Sequence, residues 1–376
     1  MKVLMIGRPG TFNNYGGDRI QIENTAKELR LLGVDVDISN NSTNDFSKYD
    51  LVHIFQLDWN PWCYSYVKAA KSQNKKIILS PIHHNIDEVR RFDDTYAFDY
   101  RRISRVLFKD QFKRDTFKDV YRALLKPALI PFTLFEVFYG LKKMFQFAIN
   151  NSDLLLVQTE REAQDLKEAF GTSFKWKKVS NGVGNLFLEK PAGDTSLGIQ
   201  NFILSVGRIE PRKNQLSIIE AVKKLREETK EDIKLVFVGA KGKHKHYEYF
   251  YLFDKEINAN HWIKHINFIP YESMPSIYAD CKVCVSASWF ETTGLTSLEA
   301  LISGANAVAA GCRAKEYLGN YASYCDPGDI TSIKEAIKKE FYSPRPEIPY
   351  DLKVKYTWKN TAIQTLEAYN SLLELK

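Results

Sequence analysis

The chain has 376 residues with a formal net charge of +7, and 44% of the residues are hydrophobic. This length exceeds what one hydrophobic core usually serves, so we expect two folded domains and exclude a disordered chain. The five cysteines are odd in number and scattered, which argues against a secreted disulfide framework and favours a reducing, cytoplasmic compartment.

The first half of the chain alternates short β-branched segments with amphipathic helices, a rhythm typical of a parallel sheet. The apolar start of the chain is too short for a signal peptide and predicts the first strand instead. A first helix is predicted from Asp18 to Leu32, with Gly33 ending it. Strands are predicted at residues 3–6, 34–38, 51–55, 76–79 and 154–157 and at Val179.

Residues 101–147 carry the positive excess of the chain, because their eleven Lys or Arg and four Asp or Glu give a net +7. Aromatic residues are interleaved with these bases. The composition predicts basic amphipathic helices on an anionic membrane surface, or alternatively a solvated face over an ordinary core. The apolar stretch 128–141 is shorter than a bilayer span and contains Glu136, so only peripheral association is expected. No nucleic-acid motif accompanies this insert, and no nucleic-acid partner is expected.

A polar stretch rich in glycine and proline, residues 189–198, interrupts the rhythm and predicts an interdomain linker. Beyond it, strands are predicted at 202–206, 235–238, 266–268, 283–286 and 306–309. The sequence therefore predicts an α/β fold of two Rossmann-like, doubly wound parallel-sheet domains that face a central cleft. Such folds bind ligands outside the carboxyl ends of their strands.

Two cations follow the first strand of the second domain. Gly207 and Arg208 begin a loop that reaches Lys213 and leads into the next helix. Positive side chains at this place can bind a diphosphate and neutralise a departing nucleotide. The alternative is a solvated loop that only caps the helix.

Glu291 and Glu299 stand eight positions apart and bracket the strand-to-helix turn that contains Gly294. The helix after this turn presents free amide N–H groups and its positive dipole end to an anion. The two carboxylates can bind sugar hydroxyls, or they serve only as a helix N-terminal charge and a surface residue. Together with the cations, they predict one pocket for a nucleotide-sugar.

The first domain offers two weaker signals. Gly16 and Gly17 follow the first strand, where glycines let backbone amides approach a phosphate or sugar closely, or merely form a flexible helix entry. His83 and His84 follow the predicted strand 76–79 and can position a sugar hydroxyl, or only satisfy loop carbonyls. Cys281 is predicted to be a buried thiol, and neither a metal nor a cofactor is expected.

These motifs resemble those of the retaining GT-B glycosyltransferases of family 4, the group 1 glycosyltransferases, and the resemblance spans nearly the whole chain. The family usually has Phe at the position of Thr293 and Pro at the position of Asn306. The segments that carry the resemblance are residues 16–17, 80–85, 180–183, 205–213, 291–299, 326–329 and the final segment from Tyr356 to Leu373.

The resemblance implies roles for individual residues. Arg208 and Lys213 would bind the donor diphosphate, Glu299 the ribose and Glu291 the transferred sugar. Gly16, Gly17 and Gly207 would allow close approach of the donor, and Thr293, Gly294 and Leu295 would supply contacts between the two glutamates. The implied domains are 1–188 on the acceptor side, 189–355 for the nucleotide-sugar, and 356–376 as a helix that crosses back to the first.

The implied activity is metal-independent transfer of a sugar, with retention of anomeric configuration, from a nucleotide-diphosphate-sugar to a glycan or lipid-linked glycan in cell-surface polysaccharide assembly. No carboxylate at a second position indicates a covalent glycosyl-enzyme, so front-face attack is favoured. Two alternatives stay open. One is a GT-B sugar-nucleotide epimerase, and the other is a catalytically inactive glycan- or membrane-binding protein.

Overall fold

The computed structural model describes residues 1–13, 16–39, 45–58, 61–96, 101–189, 197–242 and 246–374. Most of the predicted linker therefore lies outside the described residues. The chain divides into two compact units. The first comprises Met1–Ile86, Ile103–Gly182 and Tyr356–Lys376, and the second comprises Asp87–Arg102 and Val183–Lys355.

This division differs in two places from the domain boundaries that the sequence suggested. The units meet along the chain at Gly182 and Val183, a few residues before the predicted linker, and the stretch Asp87–Arg102 belongs to the second unit although it interrupts the first. The final segment from Tyr356 belongs to the first unit.

Each unit is built on a six-stranded parallel sheet. The strand order is β2-β1-β3-β4-β5-β6 in the first unit and β12-β11-β10-β7-β8-β9 in the second. In chain order, the strands are β1 (Lys2–Ile6), β2 (Asp35–Ser39), β3 (Leu51–Phe55), β4 (Lys76–Ser80), β5 (Leu154–Val157), β6 (Trp176–Lys178), β7 (Ile203–Val206), β8 (Leu235–Val238), β9 (Ile263–Ile266), β10 (Val283–Ser286), β11 (Asn306–Ala310) and β12 (Ala322–Cys325).

Helices cover both faces of each sheet. In chain order they are α1 (Gly17–Leu31), α2 (Trp62–Ser72), α3 (Ile86–Thr95), α4 (Arg101–Leu107), α5 (Gln111–Leu125), α6 (Ile130–Tyr139), α7 (Leu141–Asn150), α8 (Glu160–Phe170), α9 (Gln215–Thr229), α10 (Tyr247–Ala259), α11 (Met274–Asp280), α12 (Leu295–Ile302), α13 (Ala314–Leu318), α14 (Ile330–Tyr342), α15 (Tyr350–Lys355) and α16 (Trp358–Leu373).

The predicted α/β class with two doubly wound parallel sheets is confirmed. One strand prediction is wrong in position, because β9 ends at Ile266 and Phe268 is exposed beyond it. The pairing of β9 with β8 sets the position of this strand. Leu235 of β8 pairs with Ile263, which leaves Phe268 outside the sheet. The strand predicted at Val179 ends one residue earlier, at Lys178.

Alternation along the strands divides the core of the first unit between the two faces of its sheet. Leu4 and Ile6 of β1 pack with α2, α7 and α8 on one face, whereas Val3 and Met5 pack with α1 and α16 on the other. This follows from the two-residue period of strand side chains. The last helix therefore completes the core of the first unit.

Gly182 marks the place where the final segment joins this unit. A Cβ atom at Gly182 would lie 2.2 Å from the carbonyl carbon of Thr357, so only glycine permits this backbone approach. The Thr361 hydroxyl donates a 2.8 Å hydrogen bond to the carbonyl oxygen of Ser180. Ser180 and Gly182 of the motif 180–183 thus have a packing function in the first unit.

Candidate functional site

The loop after β7 is shaped by two glycines of neighbouring strand ends. Gly207 and Gly239 have φ angles of 143° and 144°, which other residues rarely adopt. A Cβ on Gly239 would lie 2.1 Å from the carbonyl oxygen of Gly207, and one on Gly207 would lie 3.4 Å from Cε of Lys213. The aliphatic stem of Lys213 therefore lies over bare backbone at the carboxyl end of the sheet.

Lys213 and Arg212 converge on Glu291, which follows β10. The Lys213 ammonium donates to Glu291 Oε1, and Arg212 Nη1 lies 3.6 Å from Glu291 Oε2. All three side chains are about four-fifths buried. Burial alone would raise the pKa of Glu291, but the two adjacent cations lower it to about 2. Glu291 is therefore ionised at neutral pH.

The order of the strands explains why these residues meet. β7 lies beside β10 in the sheet, and the chain continues from β7 to β8 on one side and reaches β10 on the other. Doubly wound sheets bind ligands at this kind of switch point, outside the carboxyl ends of the strands. The sequence-predicted Lys213 and Glu291 are brought together at this place.

Arg208 lies at the exposed part of the same loop. Its side chain is 57% exposed, and the guanidinium lies 3.7 Å from Glu210 Oε2. Arg212, which the sequence interpretation did not select, makes the closer contact with Glu210, at 3.0 Å, and lies beside Glu291. The sequence signal that could have identified Arg212 is its position next to Lys213 in the same basic loop.

The turn after Glu291 begins a helix with free amides. Gly294 adopts the left-handed conformation with φ 71° as the N-cap of α12. Thr293 is buried, and Leu295 is the first residue of the helix. The N–H groups of Leu295 and Thr296 precede the first hydrogen bond of the helix, in which Ser297 N–H donates to the Gly294 carbonyl oxygen at 3.0 Å, and they lie at its positive dipole end. The turn thus leads into a helix N-terminus, and an anion site at this place stays a prediction.

Glu299 lies one turn into α12 and accepts hydrogen bonds from two tyrosines. The hydroxyl of Tyr278 donates at 3.0 Å and that of Tyr271 at 3.2 Å. Burial raises the pKa of Glu299 to about 7, although both hydrogen bonds act to lower it. The sequence did not identify the tyrosines, because they lie on α11 and the turn before it.

The pKa of Glu299 leads to a prediction of how the donor KM depends on pH. If ionised Glu299 accepts ribose hydroxyls, the donor KM should be lowest above pH 7 and rise as the pH falls through about 7, because protonation removes an acceptor. The pH dependence of the donor KM measures this effect. Glu299→Gln should remove the step near pH 7, and an unchanged step in that variant would contradict the assignment.

An aromatic cluster supports the residue before Glu291. The ring of Phe290 lies 5.6 Å from that of Phe92, which is on α3, and 5.4 Å from the Arg212 guanidinium carbon. Trp289 joins the cluster at 6.2 Å from Phe92. The stretch Asp87–Arg102 therefore contributes to the surroundings of the Glu291 turn, which no local sequence pattern indicates.

The acidic motif 326–329 has a structural role in the same region. Arg91 of α3 binds Asp326 at 2.7 Å. Asp326 also accepts from the N–H of Gly328 at 2.8 Å, and Asp329 caps α14 by accepting from the N–H of Thr331. These contacts tie α3, the motif and α14 together within the second unit.

In the first unit, Asp58 joins the two histidines. Nδ1 of His83 contacts Asp58 Oδ1, whereas Asp58 Oδ2 accepts from the backbone N–H of His84 at 3.0 Å and lies 3.1 Å from its Nδ1. Burial would raise the pKa of Asp58, but the two histidines hold it well below its usual range. His83 is buried, and His84 keeps 29% of its side chain exposed.

Arg8 and Asp58 follow the two strands at the switch point of the first sheet, β1 and β3, and the histidines follow the next strand, β4. The neighbours of β1 in this sheet are β2 and β3. Sequence reasoning missed Asp58, whose place after a buried strand was a usable signal. The arrangement fixes the orientation of both imidazole rings at the carboxyl edge of the first sheet.

The glycine turn of the first unit begins α1. Gly16 is the N-cap and Gly17 the first helical residue, whereas Tyr15, before them, lies outside the described residues. A Cβ atom on Gly16 would lie 2.7 Å from Asp18 Oδ1. A Cβ atom on Gly17 would have no neighbour within 4 Å among the described atoms outside its own helix backbone. Arg8 lies 3.2 Å from the Asp18 carboxylate, beside this helix start.

Cys281 and Cys284 are both free and buried, and burial raises the pKa of each thiol. Across the described ranges, no group of three or more His, Cys, Asp or Glu side chains is placed to hold a metal ion. Among the helices that the structure describes, none is long and apolar enough to cross a bilayer.

Comparison with known proteins gives a family match for part of the chain. Residues 193–347 match the family model described as Glycosyl transferases group 1. This stretch lies within the second unit and includes Gly207, Lys213, Glu291 and Glu299. The residues that converge after β7 and β10 thus belong to the matched domain.

Two Escherichia coli proteins are similar in sequence. O-antigen chain mannosyltransferase B is 27% identical over 182 residues, which are 47% of this chain and 47% of that protein. The serotype-specific mannosyltransferase WbdA is 26% identical over 179 residues, 46% of this chain and 22% of that protein. The match therefore spans half or less of each relative.

Solved structures show the same fold over the whole chain. Sucrose-phosphate synthase from Thermosynechococcus elongatus has a TM-score of 0.72 at 14% identity and covers 100% of both chains. Anabaena HepE, solved with UDP and glucose, has a TM-score of 0.66 at 15% identity and covers 99% of this chain and 100% of its own. The chain has the GT-B fold expected from its sequence.

Proposed function

We propose that this protein is a retaining glycosyltransferase that moves a sugar from a nucleotide-diphosphate-sugar to a hydroxyl of a glycan or lipid-linked glycan in cell-surface polysaccharide assembly. The observation that carries the proposal is the convergence of Lys213 and Arg212 on Glu291 beside Gly207, within the segment that matches the group 1 family. A structural ion pair alone would need neither the bare glycine backbone nor the helix start that follows.

Charge and backbone geometry support the donor-binding roles that the family resemblance implies. Lys213 and Arg208 neutralise the diphosphate, which approaches the unsubstituted backbone of Gly207 and the free amides of Leu295 and its neighbours. Ionised Glu299 accepts the ribose hydroxyls. Glu291 holds hydroxyls of the transferred sugar, and the turn at Thr293 and Gly294 supplies contacts between the two glutamates.

In the reaction, the acceptor oxygen bonds to the anomeric carbon as the bond from that carbon to the diphosphate oxygen breaks. Attack from the face that the diphosphate leaves retains the configuration, and the acceptor proton passes to the departing phosphate oxygen. Lys213 and Arg208 stabilise the charge that develops on the leaving group, in place of a metal ion. His83 and His84, oriented by Asp58, position the acceptor hydroxyl.

Mannose is the first donor sugar to test, since both E. coli relatives are named mannosyltransferases. Glucose is the second, because HepE was crystallised with UDP and glucose. The buried Thr293 stands where the resembled family usually has Phe, and this difference in side-chain volume supports testing several sugars rather than one. Cytoplasmic action fits an activated nucleotide-sugar donor.

A donor panel tests the proposal. The full chain is incubated with nucleoside-diphosphate derivatives of mannose and glucose, with and without glycan or lipid-linked glycan acceptors, and nucleotide release is measured. Release that requires an acceptor, with a retained linkage in the product by NMR, supports the transferase. Release from donor alone supports the epimerase instead, and no release with any pair supports the non-catalytic alternative.

A further inference from the structure

The helices of the insert turn apolar side chains toward solvent and polar ones inward. On α4, Ile103, Val106 and Leu107 are exposed, and Val106 reaches 82%, whereas Ser104 between them is fully buried. Positions i, i+3 and i+4 share one helix face. Helix α4 therefore exposes an apolar face to water, beside its exposed bases Arg102 and Arg105.

Helix α6 likewise exposes an apolar face to water. Ile130, Leu134, Val137 and Phe138 are exposed along one face, and Phe138 is 86% exposed. The buried side of α6 contains Glu136, which is 1% exposed, and burial raises its pKa to about 7. The last residues of α5, Leu124 and Leu125, are also exposed. Three consecutive helices thus present large apolar side chains to solvent.

The charges divide between the inside and the outside of the insert. The buried Lys118 pairs with Asp115 at 2.8 Å, and the partly exposed Arg122 pairs with Asp119 at 2.5 Å, so these two bases are neutralised by neighbouring acids. From residue 103 to 147, which the structure describes throughout, the exposed acid is Asp110. The exposed bases over the same stretch are Arg105, Lys109, Lys113, Lys126, Lys142 and Lys143. The positive excess is therefore on the surface.

We propose that this insert surface, formed by the exposed apolar residues of α4, α5 and α6 and the six exposed bases, docks on an anionic lipid bilayer. The apolar side chains enter the boundary between headgroups and acyl chains, and the bases bind the anionic headgroups. The positive charge favours an anionic bilayer over a second copy of this chain. If the apolar residues were buried against a second copy, the six exposed bases of one copy would lie close to the same six bases of the other. The proposal rests on exposure and charge alone, and it is independent of glycosyl transfer.

Vesicle co-sedimentation of the full chain tests the proposal at about 150 mM salt, where exposed charges act over about 8 Å. Phosphatidylcholine vesicles are compared with vesicles that also contain phosphatidylglycerol. We expect retention on the anionic vesicles only. The double variant Val106→Ser/Phe138→Ser should bind roughly tenfold or more weakly, because two exposed apolar anchors are lost.

The contribution of the insert's positive charges to vesicle binding is tested with one pair of lysines in the insert and a matched control pair outside it. Lys142→Glu/Lys143→Glu should lower retention roughly tenfold or more, since each surface lysine contributes roughly fivefold to binding. Lys223→Glu/Lys224→Glu, an exposed pair on α9, makes the same change in net charge outside the insert and should bind like the unchanged chain. Phe268→Ser is the corresponding apolar control, because Phe268 is also exposed.

Three results would overturn the proposal. One is equal retention on neutral and anionic vesicles, and another is the same loss in the insert variants and their controls. The third is a concentration-dependent dimer in analytical ultracentrifugation that Val106→Ser/Phe138→Ser abolishes, which would assign the surface to a second copy. Because no assay step uses a donor, a failure of the transferase proposal leaves this test unaffected.

Discussion

Lys213→Ala should lower turnover by about 100- to 1,000-fold, the loss typical when one group that stabilises transition-state charge is removed. The physical reason is that the ammonium lies at the carboxyl end of β7, over Gly207, where the proposed mechanism places the diphosphate that gains negative charge as it leaves. Nucleotide release under saturating donor measures the effect. Isothermal titration with nucleoside diphosphates should show a parallel weakening, because the product carries the same charge.

Two further variants, Lys224→Ala and Arg208→Ala, show whether lower turnover comes from the loss of a specific charge or from loss of the fold. Lys224→Ala removes an exposed lysine from α9 of the same unit and should leave turnover unchanged. Arg208→Ala should also lower turnover severely, since its exposed guanidinium lies on the same loop. If Lys213→Ala and Arg208→Ala both keep full activity while circular dichroism shows an intact fold, the diphosphate assignment is wrong.

Glu291→Gln should lower both activity and stability, because it leaves two largely buried cations without this counter-charge. We expect a loss of about 3 kcal/mol in the free energy of unfolding at neutral pH, which is the range for breaking a buried pair by removing one partner. Chemical denaturation measures it. Arg212 still contacts Glu210, so a loss at the lower end of that range is expected.

The pH dependence of this loss has a defined sign. The folded-state pKa of Glu291 is about 2, below its usual value of 4.5, so its ionisation contributes stability above about pH 4.5 that disappears as the pH falls toward 2. The difference between the unchanged chain and Glu291→Gln should shrink over that interval. Glu248→Gln, at an exposed position on α10, should show no such difference. A constant difference from neutral pH to pH 2 would contradict the ion-pair assignment.

The position of the Glu291 turn depends on contacts with distant parts of the chain. Phe290 is held between Phe92 of α3 and the guanidinium of Arg212, and Arg91 binds Asp326 near the start of α14. Glu291, for which we propose a role in holding the transferred sugar, is thereby attached to a packed aromatic cluster. Such support keeps a functional side chain in one geometry.

Several features followed from the sequence alone because they depend on neighbours along the chain. Alternating β-branched segments and helical periodicity predicted the two parallel sheets, since side-chain period is a local property of strands and helices. The same reasoning located the ends of β7 and β10, and hence Lys213 and Glu291, because carboxyl ends of parallel strands share one edge. The exceptions were β9, whose position depends on register with β8, β6, which ends before the predicted Val179, and β12, which was not predicted.

Other features depended on tertiary structure, because they join residues far apart in the chain. Tyr271 and Tyr278 reach Glu299, Asp58 joins His83 and His84, and Asp87–Arg102 packs in the second unit. The inward and outward faces of α4 and α6 were likewise undetermined, since periodicity predicts that a helix has two faces but not which one its neighbours cover. The sequence by itself determined the two sheets and the charged loops. Only the tertiary structure decided the partners of those charges and which side chains remained exposed to water.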